Sequence, residues 1–251
     1  MIDTHVHINV SPLYEKAETV IEEAHAAGVQ KFLVVGFDPK TIQAALALAD
    51  RFESVKLALG FHPTVVAQMQ ESDYQFLETA LTHPSVRAYG EIGIDLHWEK
   101  ATLDVQKTQL HRQLQTAKSL DLPVVIHMRD ATEITYQILK EYAPLKGVMH
   151  CYSGPLEMLQ AFLDLGLHIG LDGPVTFKNA KTPKAVAKEV PLDRLLLETD
   201  APYLAPHPYR GKPNTPAYLP LIASAIAELR GMSVPALIDA TTHNARALFN
   251  L

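Results

Sequence analysis

Two histidines stand two residues apart near the start of the chain, in Asp3-Thr4-His5-Val6-His7. On a strand, residues two apart share a face. If Ile2, Thr4 and Val6 turn toward surrounding helices, both imidazoles turn inward, where they can chelate one metal ion. Four more metal-capable side chains lie in other apolar runs. Glu91 is in Gly-Glu-Ile-Gly-Ile-Asp, His127 in Pro-Val-Val-Ile-His-Met-Arg, His150 in Gly-Val-Met-His-Cys-Tyr and Asp200 in Leu-Leu-Leu-Glu-Thr-Asp. An isolated His-x-His is as readily a pair of structural histidines. Six such residues at strand ends are better explained as one site. Four imidazoles and two carboxylates suffice for two divalent cations, with one carboxylate bridging.

Residues scattered from 5 to 200 meet only in a fold that gathers strand ends. Eight short apolar runs recur along the chain: Ile2–His7, Lys31–Phe37, Val55–Phe61, Arg87–Ile94, Pro123–His127, Gly147–Tyr152, His168–Leu171 and Arg194–Thr199. Several are rich in Val, Ile and Leu, as parallel strands covered on both faces should be. Helical periodicity fills the gaps, as in Val20, Ile21, Ala24 and Ala27, or Leu110, Leu114 and Ala117. The tail from about Pro216 to Phe249 reads as helix. This alternation predicts an α/β fold, a single TIM-type (β/α)₈ barrel spanning residues 1–251 as one domain. An open doubly wound sheet is the structural rival. The proline-rich stretch from Asp200 to Pro216 reads as a long loop after the eighth strand, on the face where barrels carry their sites.

Composition narrows the class. The net charge of −6 argues against binding nucleic acid over the whole surface, but not against a local phosphate-binding mouth. The one cysteine, Cys151, excludes an internal disulfide and fits a reducing compartment. The N-terminal residues carry no secretory pattern, and no run of 18 apolar residues occurs. A cytoplasmic protein with no membrane contact and no obligate protein partner is expected.

Other residues have two readings each. His62 contacts substrate or supports a ligand by a hydrogen bond. Arg129 pairs with a phosphate or, the preferred reading, with Asp95. Glu198, one layer below Asp200, is placed to orient a histidine ligand. Cys151 should face the helices as a small core residue, and His168 should be structural. Lys178, Lys181, Arg210 and Lys212 follow the last two strands and would ring the site with positive charge; for Lys181 a solvated surface role is preferred. Tyr152 and Tyr203 stack on bases or simply pack.

The chain resembles the TatD family of metal-dependent hydrolases. The resemblance rests on Ile2-Asp3-Thr4-His5-Val6-His7, Gly60-Phe61-His62-Pro63, Gly90-Glu91-Ile92-Gly93-Ile94-Asp95, His127-Met128-Arg129-Asp130-Ala131, His150-Cys151-Tyr152-Ser153-Gly154 and Glu198-Thr199-Asp200-Ala201-Pro202-Tyr203-Leu204. It extends to Asn244–Phe249, so it covers essentially the whole chain. It implies that His5, His7 and Asp200 bind one metal, that His127 and His150 bind another, and that Glu91 bridges them where many related barrels use a modified lysine. It implies Mg²⁺, Mn²⁺ or Zn²⁺ as cofactor and a deoxyribonuclease activity on DNA or another phosphodiester. Asp200 and Glu91 would be catalytic, with Asp200 accepting the proton of the attacking water. His62, Arg129, Arg210 and Lys212 would bind substrate. Hydrolysis of an ester, lactone or amide is the alternative, and a non-enzymatic metal protein a third reading. One departure is visible after Arg210-Gly211-Lys212, where Pro213-Asn214-Thr215-Pro216 lacks the acidic residue usual in the family.

Overall fold

The computed structural model describes residues 1–98 and 100–251. Eight parallel strands lie in sequential order: β1 Ile2–Val6, β2 Lys31–Gly36, β3 Val55–Leu59, β4 Val86–Asp95, β5 Val124–Arg129, β6 Gly147–Met149, β7 Leu167–Leu171 and β8 Leu195–Leu197. Helices cover them: α1 Ala17–Ala26, α2 Pro39–Arg51, α3 Glu71–Ala80, α4 Leu103–Ser119, α5 Thr132–Lys140, α6 Leu159–Asp164, α7 Lys181–Glu189, α8 Leu219–Arg230 and α9 Val234–Phe249. The open doubly wound alternative is thereby excluded. The seam between β1 and β8 closes toward the C-terminal ends of the strands. The Asp200 amide donates to His5 O at 2.9 Å, the His7 amide to Ala201 O at 2.7 Å, and the Thr4 hydroxyl to Leu197 O at 3.0 Å.

Sequence periodicity explains the layering. Val124, Ile126 and Met128 of β5 pack outward under the helices, whereas Val125 packs inward. The barrel floor is an apolar layer of Ile2, Leu33, Val35, Ala58, Ala88, Val125, Val148 and Leu196, plugged by Ala245 and Phe249 of α9. One layer higher the inward side chains become polar.

Strict alternation fails at two places that matter. The register of β1 against β2 shifts between Asp3 and Val6. Through this irregularity Ile2 belongs to the floor while His5 also turns inward, so Ile2 does not face the helices as expected. The register of β4 against β5 shifts between Gly90 and Ile92, at Glu91. Both irregularities lie at the site, where bulges re-aim side chains.

The expected helical tail is two helices. Gly231 takes a left-handed conformation, φ 63, and ends α8. Ser233 then caps α9, accepting from the Ala236 amide, with a proline in the first turn. The two helices meet at 110°. Among the described residues no single helix is long and apolar enough to cross a membrane.

Candidate metal centre

All six residues that the sequence singled out converge above the apolar floor. His5, His7, Glu91, His150 and Asp200 are each at most 9% exposed. His5 Nε2 and His7 Nε2 face each other at 3.2 Å. Asp200 Oδ1 lies 3.3 Å from His7 Nε2 and 3.8 Å from His5 Nε2. Glu91 Oε2 lies 3.5 Å from His5 Nε2, and Glu91 Oε1 lies 3.9 Å from His150 Nε2. Glu91 thus stands between the β1 histidines and those of β5 and β6.

His127 is held on both edges. Its Nδ1 is 2.8 Å from Glu91 Oε1 and its Nε2 is 2.9 Å from Asp95 Oδ2. Asp95 is the ligand-capable residue that sequence reading did not assign to the site. Its expected partner was Arg129, but His127 takes the carboxylate. Asp95 Oδ1 meanwhile accepts from the His97 and Trp98 amides. The available signal was its place at the end of β4, two residues past Gly93, which pairs with His127. Arg129 instead sits exposed at the rim, its guanidinium 5.6 Å from the Trp98 ring.

The layer beneath holds the histidines in place. His7 Nδ1 is 3.2 Å from the Val35 carbonyl, an obligate acceptor, so that nitrogen carries the proton and Nε2 presents a lone pair. Glu198 is fully buried and its Oε1 lies 3.0 Å from His150 Nδ1, an ionic contact without hydrogen-bond alignment. Gly170 makes room for it, since a Cβ there would overlap the Glu198 carboxylate. The His5 and His150 rings stack at 3.4 Å. His62 reaches in from beyond β3, its Nε2 3.7 Å from Glu91 Oε1 and its Nδ1 2.6 Å from the Thr64 hydroxyl.

Electrostatics follow from packing carboxylates and imidazoles together out of water. Burial would raise the Glu91 carboxyl, but His62, His5 and His127 hold it well below the usual range. Burial opposes protonation of His150, yet Glu198, Glu91 and Asp200 lift it to about 10. Burial likewise opposes His127, and its hydrogen bonds to Asp95 and Glu91 raise it. Burial and then His127 drive His62 down to about 3. The centre therefore gathers buried carboxylates that demand positive charge. Metal cations fit this donor set, because several imidazole nitrogens and carboxylate oxygens already converge within ligand reach. One such group is His5, His7 and Asp200; another is His62, Asp95 and His127.

A cavity of about 480 Å³ opens above the centre. Phe37, Trp98, Tyr203 and Leu204 form its apolar wall, and His62 and Arg129 its polar one. Arg210 and Lys212, expected at the site, are exposed and do not line this cavity. Arg210 packs over the Phe177 ring at 4.6 Å. Tyr203 is half exposed, but Tyr152 is buried with its hydroxyl on Pro155 O, which leaves it no face for stacking.

Cys151 also departs from expectation. Strand β6 ends at Met149, and Cys151 takes φ 42, so parity does not carry it to the helices. Its amide donates to Glu198 and its thiol lies by Asp172. Asn214, in the stretch that departs from the family pattern, is buried and ties the loop down. Its amide nitrogen donates to Thr199 O and Tyr203 O at 2.8 and 2.7 Å. The site loop is thus fastened without an acidic residue.

Comparison with known proteins agrees in sequence and in fold. The profile of the family described as TatD related DNase matches residues 2–250. An uncharacterized metal-dependent hydrolase of Bacillus subtilis, YabD, is 42% identical over 100% of this chain and 99% of its own. The crystal structure of YjjV, a TatD homolog from Escherichia coli, superposes with a TM-score of 0.95 at 33% identity, covering 100% of this chain and 98% of that one. A hydrolase TatD family protein from Entamoeba histolytica shares the fold, with a TM-score of 0.90 at 21% identity, over 99% of this chain and 97% of that one.

Proposed function

The chain belongs to the TatD family of metal-dependent hydrolases, and on that premise we propose that it is a deoxyribonuclease cleaving phosphodiester bonds. The observation that carries this reading is the recessed set of imidazoles and carboxylates under a rim bearing Arg129, on a barrel face whose loops add Lys178, Lys181, Arg210 and Lys212. His5, His7 and Asp200 would hold one divalent cation; His127, His150 and Asp95 would hold a second, with Glu91 shared between them. Divalent cations supply Lewis acidity, making a water acidic near neutral pH and neutralising charge on phosphoryl oxygens.

The chain's own residues do the rest. Asp200 Oδ1 faces the ligand nitrogens and accepts the proton of the attacking water. Glu91 is kept ionised by the histidines around it. His62, kept neutral, offers Nε2 to the cavity while Thr64 fixes its other nitrogen. Arg129, exposed on the cavity rim, would make a bidentate contact with a phosphate. Phe37 and Leu204 shield the centre from bulk water, and Trp98 and Tyr203 offer faces to sugar and base.

The test is cleavage of single-stranded DNA by the wild type and by Asp200→Asn, with and without chelator. We expect chelation to abolish cleavage and Asp200→Asn to lower kcat by at least 100-fold. Cleavage without metal, or equal rates for the variant, overturns the mechanism. A panel of ester, lactone, amide and phosphodiester substrates tests the bond. Turnover of carbonyl substrates alone overturns the nuclease reading.

A further inference from the structure

Six of the 22 Lys and Arg residues fall in two stretches, 173–188 and 201–227, that contain none of the 28 Asp and Glu. They are Lys178, Lys181, Lys184, Lys188, Arg210 and Lys212. The first stretch runs from the loop after β7 through α7, and the second from the loop after β8 into α8. Among the described residues the Lys and Arg ion pairs are Arg51–Glu18, Arg112–Glu71 and Lys146–Asp121, so none of the six has a carboxylate partner within 4.0 Å. In a chain of net charge −6 this is a strong local reversal.

The reversal has a shape. A groove of about 550 Å³ runs between α7 and α8. Its upper end is built from Thr176 and His207, on the loops after β7 and β8, and these loops are joined by the His207 amide donating to the Thr176 hydroxyl at 2.8 Å. Its wall carries Lys184 and Lys188, one helical turn apart on one face of α7, with Ser224 on the α8 side. Glu228 is the one carboxylate among its lining residues. Lys184 Nζ donates to Lys178 O at 3.1 Å, which steadies the ammonium and leaves further protons for a ligand. Lys184 and Lys188 are separated by about 6 Å along the helix axis, a step suited to neighbouring phosphates of a strand.

We propose that this groove is a second binding site, for the phosphate backbone of a single-stranded polynucleotide whose scissile bond lies in the metal centre. This deepens the nuclease reading and rests on it for the identity of the ligand. A small phosphate ester needs nothing beyond the cavity, whereas a strand leaving it past Leu204, whose carbonyl packs against Gly173 of the loop after β7, comes to Thr176 and His207 at the upper end of the groove. A single strand is favoured over a duplex because the centre is recessed. The rim also exposes Trp98 at 55% and Tyr203 at 50%, and such aromatics stack on unpaired bases.

The experiment is equilibrium binding of fluorescein-labelled 24-mer and 4-mer deoxyoligonucleotides across a salt series, in chelator so that no cleavage occurs. The proteins are the wild type, Lys184→Glu/Lys188→Glu, and the charge-matched Lys118→Glu/Lys140→Glu on α4 and α5. We expect the groove variant to bind the 24-mer at least 10-fold more weakly, with a log Kd against log salt slope shallower by about 1.4 for two lost phosphate contacts. The 4-mer affinity and the charge-matched variant should show no such change. Equal 24-mer affinity and slope in the groove variant overturns the proposal, as does an equal loss in the charge-matched variant or no 24-mer binding by the wild type. Hydrolysis assayed separately with metal keeps the two readings apart. Groove-dependent binding without phosphodiester cleavage would leave the groove standing and remove the nuclease assignment.

Discussion

Asp95 Oδ2 lies 2.9 Å from Nε2 of His127, on the opposite edge of the ring from Glu91. An imidazole gripped on both edges by carboxylates cannot swing, and its charge is set by them. Replacing Asp95 with Asn preserves the oxygen that accepts from the His97 and Trp98 amides and removes only the charge facing His127. Asp95→Asn should weaken binding of one of two cations by about 10–100-fold. Calorimetric titration with Mn²⁺ or Zn²⁺ measures this. Trp98, the sole tryptophan, reports by fluorescence whether the loop has moved. Unchanged affinity at both sites would show that Asp95 only anchors the loop.

The seam of the barrel depends on Asp3. Its Oδ1 accepts from the Thr199 amide at 2.9 Å and its Oδ2 from the Thr199 hydroxyl at 2.6 Å, all of it out of contact with water. Asp3→Ala leaves the buried Thr199 amide and hydroxyl without their acceptor and removes a longer 3.4 Å contact from the His5 amide, at a cost of about 3 kcal/mol. For a barrel of this size that lowers Tm by roughly 10 °C. Thr199→Val should lose less, because it removes the hydroxyl donor along with its hydrogen bond. A thermal melt of both variants in chelator tests the ranking; a larger loss in Thr199→Val would contradict it.

The barrel and the six converging residues were legible because two simple rules carry them. Apolar runs at intervals specify parallel strands, and strand ends in a barrel meet. The failures have physical causes. Strand parity assumes an unbroken pleat, and the irregularities at Asp3–Val6 and at Glu91 break it, which misplaced Ile2. At Cys151 the strand had already ended, and a left-handed backbone turned the residue toward Asp172. Asp95 was paired with the nearest formal opposite charge, Arg129, when burial favoured a histidine that is itself wedged between carboxylates. Arg210 and Lys212 were expected to bind substrate from the resemblance and from their place after β8; they lie exposed on that loop, outside the lining of the cavity, and position along a long loop does not fix where its side chains reach.

Carboxylates and imidazoles buried together with their donor atoms converging favour a bound cation, so cations should stabilise the fold as well as serve the reaction. Metal at 100 times its Kd stabilises by about 2.7 kcal/mol per independent site, which for a chain of this length raises Tm by roughly 5–10 °C. Differential scanning fluorimetry with and without chelator reads the shift. His5→Ala/His7→Ala should abolish much of it. A Tm indifferent to metal in the wild type would argue against tight cation binding at this centre.

Acid stability should depend on a residue far from the chemistry. His168 lies on β7 next to Val148 of the barrel floor, and its Nδ1 is buried without a partner. Burial, then the nearby Arg194, push its pKa below the ordinary value of 6.5. The folded state therefore binds its proton less readily than the unfolded chain does. Its contribution is neutral well above pH 6.5 and becomes destabilising as pH falls through 6.5 toward the lower folded value, because there the unfolded state holds more protons. His168→Gln removes the titration while keeping a polar side chain of similar length. The variant should melt at or slightly below the wild-type temperature at pH 8 and lose less stability between pH 7 and pH 5. His5 and His62, which are also depressed, titrate in both proteins, so the difference between the two profiles isolates His168. Parallel profiles for wild type and His168→Gln would rule out a role for His168 in acid unfolding.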